Sequence, residues 1–520
     1  MKQLPIGIQS FRDLRENDYL YVDKTAHIHR IVTTGKVYFL SRPRRFGKSL
    51  LISTMDELFR SNKPLFEGLY IYDKWDWTQQ YPVIRIDWTR ITHSTPEKME
   101  VSLCGYLRDI AKTYQVDLTK ESSPDCFDEL IRLLREKTGK NAVILIDEYD
   151  KPVTAHLFDS HLEGIRTAVH NFYQVMKGAD DYLQLIFLTG VSKFSGLSVF
   201  SALNNPSDIT MDDEYASICG YTQEELENCF SEYIDAAAAY RNETREELLR
   251  KIRYWYDGYT WDGQTSVYNP FSTLYFFKRK RYTNYWFRTG TPTFLIDILQ
   301  RREQTGIVLE PITIDENLLD GGYDPQTLSE IPLFFQTGYL TVKRRESTDD
   351  DIAQYTLGVP NMEVNKALLT QLLLAYGKYP AQDVDNLRRE MEQCIREGDE
   401  SGLANCFEVM MATVPFELQS GCERYYHTVM LIWMRLIGFK IQGEKPNNRG
   451  RADAVWEQPG LTVVAELKYH AEKKIETLLN EAMTQIHDRR YYNLYLGKVL
   501  LLGVAFSGKE VGCRMEKPYY

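Results

Sequence analysis

Gly47, Lys48 and Ser49, in "RPRRFGKSL" (42–50), have the order in which a phosphate-binding loop ends. In such a loop the opening turn of a helix offers unpaired N–H groups and partial positive charge to an anion. The lysine reaches the β- and γ-phosphates and the hydroxyl ligates Mg²⁺. The consensus opens on a second glycine, and this chain has Arg42 there. A Gly-Lys-Ser can also sit in a plain basic loop, so a second element is needed. "NAVILIDEYDKP" (141–152) supplies it, because its apolar run Ala142–Ile146 ends in Asp147 and Glu148. An aspartate there can hold Mg²⁺ through water, and the adjacent glutamate can polarise an attacking water. Acids also occur where a strand merely reaches solvent.

A further constellation lies near the other end, in "RGRADAVWEQPGLTVVAELKYH" (449–470). "ADAVW" and "LTVVAELKY" read as strands paired across the turn signal "EQPG". That pairing brings Asp453 near Glu466, and the two-residue period of a strand puts Lys468 on the face of Glu466. Two carboxylates can hold Mg²⁺, which activates water against a phosphodiester, and an ammonium offsets charge gathering in the transition state. The bland reading pairs the same acids with Arg449, Arg451 or Lys468.

These groups need a scaffold. "KVYFLSRPR" (36–44), "YPVIRIDW" (81–88), "NAVILIDEYDKP" and "YLQLIFLTGVSKFS" (182–195) read as strands separated by helical stretches such as "SLLISTMDELFRS" (49–61). That alternation predicts a doubly wound parallel sheet with ligands at the strand C-termini. Thr189 closes the last run, where it could sense a γ-phosphate or serve as a turn threonine. "CGYTQEELENCFSEYI" (219–234) carries a capping box, and "TREELLRKIRYWYDGY" (244–259) is a second helix. "NYWFRTGTPTFLIDIL" (284–299) breaks at Gly-Thr-Pro and resumes helically. The stretch 331–369 reads as helix, strand, strand, helix, a winged-helix-like pattern. Its Lys343, Arg344 and Arg345 could meet phosphates but suit a solvated edge better. Residues 377–415 read as paired amphipathic helices. A helix over 422–441 carries Glu423 and His427, and Glu444 precedes Asp453. A further helix with Gln485, Arg489, Arg490 and Tyr491 leads to a closing strand in 481–506.

"YVDKT" (21–25), "RPRRFGKSL", "LIDEYDKP", "LTGVSKFS" and "SALNNPSDIT" (201–210) together resemble bacterial AAA-ATPase-like proteins, in which the Arg-Pro-Arg-Arg-Phe-Gly-Lys-Ser loop is usual. The resemblance implies a P-loop AAA+-like core over 1–215, a helical lid over 216–300 and the winged-helix-like unit over 301–375. It implies ATP bound by Arg44, Arg45, Phe46, Gly47, Lys48, Ser49, Asp147 and Thr189, with Arg42 adding charge beside the phosphates and Glu148 orienting water. After a helical connector (376–414), residues 415–520 resemble the PD-(D/E)XK nuclease superfamily, an α/β fold. That resemblance implies Asp453, Glu466 and Lys468 as catalytic residues, with Mg²⁺ on the two acids. It implies backbone contact or base stacking on nucleic acid, DNA first, by Gln485, Arg489, Arg490 and Tyr491. The joint expectation is a P-loop ATPase coupled to a metal-dependent nuclease, the alternative being a nucleotide-switched scaffold that grips nucleic acid without cutting it.

Bulk properties agree. The 520 residues suggest roughly two to four domains. A net charge of −11 argues against non-specific adhesion of the whole surface to nucleic acid while leaving room for a local basic groove. The eight cysteines form no C-x-x-C pair, which points to a reducing compartment and away from zinc. No apolar run approaches the ~18 residues of a membrane helix, and the expectation is a cytoplasmic chain free to form oligomers.

Overall fold

The computed structural model describes residues 1–157, 159–193, 203, 206–286, 312–319, 330–347, 353–368, 384–412, 426–427, 430–431, 433–434, 439–447, 450–458, 460–495, 498–508 and 510–518. These fall into two compact units, one ending at Asn365 and the other beginning at Lys366.

In the first unit, five strands form an all-parallel sheet: β1 (Val37–Ser41), β2 (Val83–Asp87), β3 (Ala142–Asp147), β4 (Leu183–Gly190) and β5 (Ser207–Asp208), in the order β2-β3-β4-β1-β5. Strands β1 and β3 are buried along their whole length, as continuous apolar runs covered by helices on both faces must be. The helix after β1 runs Lys48–Phe59 and buries Leu51, Ile52, Met55, Leu58 and Phe59, the expected helical spacing. The order leaves β4 between β1 and β3, so Ser41 pairs with Gly190 on one side and Ile146 with Leu188 on the other.

The lid is helical, with capping boxes at Thr222/Glu225 and Thr244/Glu247 opening Gln223–Cys229 and Arg245–Tyr256. Its core reaches back to Leu20 and Val22 of the N-terminal segment. The "YVDKT" stretch ties the two together. Asp23 accepts from Thr25 N and Tyr70 N, and Lys24 Nζ donates to Ser217 O at 2.8 Å and Glu225 Oε1 at 2.6 Å.

The winged unit has the expected helix (Glu330–Gln336), β7 (Thr341–Ser347), β8 (Ala353–Gly358) and following helix, with a further strand β6 (Ile312–Asp315) that spacing did not reveal. Its sheet order is β6-β8-β7. Its three basic residues are held locally: Lys343 Nζ on Pro360 O, Arg344 on Glu346 and Arg345 on Asp213. That is the solvated-edge reading. The stretch 284–299 lies outside the described residues beyond Trp286.

The second unit pairs helices Val384–Glu397 and Glu400–Ala412, as their amphipathic pattern predicts. Its sheet contains β9 (Lys440–Asn447), β10 (Gly450–Gln458), β11 (Leu461–Tyr469), β12 (Val499–Ser507) and β13 (Glu510–Glu516), in the order β13-β12-β11-β10-β9. The β10–β11 hairpin has the predicted pairing, with Ala454 opposite Ala465. Strands β9 and β13 were not read from the sequence, and β9 takes over the last two residues of the helix expected over 422–441. Helix Ile475–Arg489 packs Met483 and Ile486 on Val464 and Leu501. Among the described residues no helix is long and apolar enough to cross a membrane, and the described cysteines are free.

Gly338 stands where the winged unit meets the phosphate loop. Its φ is +88°, and a Cβ there would lie 2.7 Å from Pro43 Cγ. Gly338→Ala combines left-handed strain with that overlap and should destabilise the protein by about 2–3 kcal/mol. Gly68→Ala has a similar φ of +76° and open space around the new methyl, so it should cost about 1 kcal/mol. Denaturant melts of the two variants check the difference, and equal losses contradict the contact.

Candidate functional site

At the C-terminal edge of the first sheet the chain turns out of β1 through residues 42–47 into helix Lys48–Phe59. Arg45 and Gly47 take up the left-handed conformations of this turn, at φ 69° and 98°. Arg42 does not, so nothing in the backbone at that position demands glycine. Its side chain corrects the sequence expectation. The guanidinium is buried, donates to Ser41 O, Thr210 O and Tyr215 O at 2.9, 2.8 and 3.1 Å, and lies 3.9 Å over the Trp261 ring. It therefore adds no charge beside a phosphate. Burial pulls its pKa down to about 10, which leaves it a cation at neutral pH.

Phe46 is buried with Tyr259 and Trp261 against its ring, at centroid distances of 4.8 and 5.7 Å. Trp286 Nε1 donates to Arg44 O, and Arg45 lies 5.1 Å over Phe271. Arg44, Arg45, Phe46, Gly47, Lys48 and Ser49 all line one cavity of about 390 Å³, the size of a small-molecule site. Its other walls include Glu148, Lys151, Tyr221 and Phe271.

Lys48 is buried at this wall, its ammonium turned onto the carbonyls of Arg42 (2.7 Å) and Pro43 (3.0 Å) of its own loop. Desolvation lowers its pKa, and the charges of Asp147 and Glu148 oppose that shift. An anion entering the cavity would offer the ammonium stronger, charge-assisted partners than two carbonyls.

Asp147 ends β3, is buried, and accepts a hydrogen bond from Thr189 Oγ1 at 2.8 Å. Thr189 is itself buried, so its hydroxyl positions Asp147 and does not line the cavity. The neighbouring Glu148 has φ 53°, a sparsely populated conformation for a non-glycine residue and one that gathers at functional sites. Its Oε2 lies 3.3 Å from Lys151 Nζ. Sequence reading passed over Asp150. Its carboxylate is buried, accepts from Val191 N and Ser192 N, and burial pushes its pKa up to about 6.

In the second unit, the hairpin register puts Asp453 and Glu466 on facing strands, one rung beyond Ala454 and Ala465. Asp453 Oδ2 accepts from Leu467 N at 2.8 Å, and its carbonyl meets His427 Nε2 at 2.7 Å. Glu466 continues the face of Val464 beneath helix Ile475–Arg489 and is fully buried. Its Oε1 is met by Lys468 Nζ at 3.3 Å and by Gln485 Nε2, while Oε2 has no partner. A buried carboxylate oxygen without a donor costs several times an ordinary hydrogen bond. A divalent cation between it and Asp453 would remove that cost, so the donor set fits one. Burial, then the Asp453 charge, push the Glu466 pKa up to about 8 against the pull of Lys468.

Gln485, expected on the nucleic-acid face, turns inward to orient Glu466. Arg489 and Arg490 are exposed at the end of the same helix, with Arg490 as its left-handed cap at φ 50°. For Tyr491 and Glu444 only the backbone is described, and Glu423 lies outside the described residues.

Two family models match this chain: a predicted AAA-ATPase over residues 5–200 and the PD-(D/E)XK nuclease superfamily over residues 421–516. The chain is also 35% identical over 517 residues to a protein of Azotobacter chroococcum mcd 1 described as "Uncharacterized protein in vnfD 5'region". That alignment covers 97% of this chain and 96% of the other.

A carboxyl whose folded pKa exceeds its ordinary 4.5 holds a proton that the unfolded chain releases, so stability falls as pH rises from there through about 8. In EDTA the parent should lose melting temperature across that window, and Glu466→Gln should lose less. Parallel pH profiles for parent and variant contradict the buried-carboxylate assignment.

Proposed function

Because the chain belongs to the predicted AAA-ATPase-like family and carries a PD-(D/E)XK nuclease superfamily domain, we propose that it hydrolyses ATP in its first unit and cleaves nucleic-acid phosphodiesters in its second. One observation carries the reading. Each unit gathers two carboxylates and a lysine ammonium: Asp147, Glu148 and Lys48 in the first, Asp453, Glu466 and Lys468 in the second.

In the first unit Lys48 leaves its loop carbonyls for the β- and γ-phosphates, and the N–H groups around Gly47–Ser49 cradle the same anion. Ser49 and Asp147 would hold Mg²⁺, and Thr189 keeps Asp147 in place. Glu148 accepts a proton from the attacking water as the bond to the γ-phosphorus forms. In the second unit Asp453 and Glu466 would hold Mg²⁺, Gln485 orients Glu466, and Lys468 offsets the charge of the phosphorane-like transition state. Bound magnesium supplies Lewis-acid polarisation of phosphoryl oxygens at both sites. Arg489 and Arg490 contact the backbone of nucleic acid, DNA in the first instance. ATP turnover governs when the second unit cuts.

A second reading has its own observation. Among the described residues no three His, Cys, Asp or Glu side chains gather as a metal cluster, which favours a domain that grips nucleic acid without cutting it.

Purified chain, ATP, Mg²⁺ and plasmid DNA distinguish the two. Glu148→Gln should slow ATP hydrolysis by on the order of 100-fold while ATP still binds. Glu466→Ala should abolish DNA cleavage and leave ATP turnover intact. A parent that binds DNA and leaves it whole supports the gripping domain. Unchanged ATP turnover in Glu148→Gln removes Glu148 from its role.

A further inference from the structure

Behind Glu148 lies a second, much smaller hole of about 10 Å³, room for about one water molecule. Arg44, Glu148 and Lys151 line both this hole and the large cavity, so the Glu148 side chain stands between them. The far wall is Asp150, Thr154 and Ser192. Ser192 is 1% exposed, yet its Oγ has no hydrogen-bond partner. A buried hydroxyl with nothing to bond to costs about 1–3 kcal/mol, and a water in a polar hole of this size removes that cost.

The wall is built to hold its shape. Asp150 accepts Val191 N and Ser192 N, fixing the turn after β4 that presents Ser192. Tyr149 Oη donates to Ser192 O at 2.8 Å from the other side. The left-handed backbone at Glu148 aims one side chain at both spaces.

We propose that this hole is the waiting position of the hydrolytic water, with Ser192 and Asp150 as positioning residues for the ATPase reaction. The inference rests on the ATPase reading above. Ser192 Oγ and Glu148 hold the water from opposite sides. When ATP fills the large cavity, the water oxygen attacks the γ-phosphorus. The bond to the bridging oxygen breaks with its electron pair leaving on ADP, and the water proton passes to the Glu148 carboxylate. Inorganic phosphate and ADP are the products, and Glu148 later returns the proton to solvent. Removing the hydroxyl leaves the nucleotide's own contacts intact and misplaces only the water.

Steady-state hydrolysis by the full chain and by Ser192→Ala tests this, together with ADP affinity and the melting temperature of each. The expected result is a kcat lower by on the order of 10- to 100-fold, with ADP affinity and melting temperature unchanged. A variant that turns over at the parent rate overturns the water position and leaves the ATPase reading standing. So does a variant whose kcat, affinity and melting temperature fall together, since that marks a structural serine. No hydrolysis by the parent overturns both readings.

Discussion

The first unit depends on how it keeps two cations, Arg42 and Lys48, out of water beside one another. Each is buried, and neither has a carboxylate within ion-pair distance; their charges rest on main-chain carbonyls and, for Arg42, on an indole face. Such charges are tolerated only where every available donor is met. Meeting them dictates the surroundings. Thr210 and Tyr215 must present carbonyls to Arg42, Trp261 must lie flat beneath it, and the loop must curl its own carbonyls toward Lys48. The winged unit closes the arrangement from outside, through Trp286 on Arg44 O and Gly338 against Pro43. Arg42 is thus bonded inward permanently. Lys48 is held by weaker neutral partners that an anion can displace.

The second unit turns on the opposite imbalance. Glu466 is a buried acid with one oxygen attended by Lys468 and Gln485 and the other by nothing. Hydrophobic packing of Val464, Met483 and Ile486 forces the carboxyl under the helix, so the protein carries a destabilising group that folding alone does not justify. The same kind of deficit recurs in the first unit at Ser192. In both places an unmet polar atom lies beside a carboxylate fit for phosphoryl chemistry.

Much of this was legible before any coordinates. Continuous apolar runs marked β1 and β3 as central strands, and the strand-to-helix passage at Gly47-Lys48-Ser49 placed a ligand edge. The hairpin register followed from the turn at "EQPG", so Asp453 and Glu466 faced each other on paper as they do in space. Other features left no such trace. Strands β9 and β13 are edge strands with mixed polarity, and without an alternating pattern they do not stand out from loops. Arg42 reads as surface charge because composition says nothing about which way a side chain turns. Thr189 was seen as a possible phosphate sensor, and only the insertion of β4 between β1 and β3 shows its hydroxyl spent on Asp147.

Residue order alone established the two nucleotide-type constellations, their strand contexts and the α/β class, since those depend on local pattern and short-range pairing. Tertiary structure decided which groups lack a partner. Whether Glu466 Oε2 or Ser192 Oγ finds a donor, and whether Arg42 meets solvent or Trp261, depends on chain segments far apart in sequence packing to within an ångström. No periodicity in the chain encodes that distance.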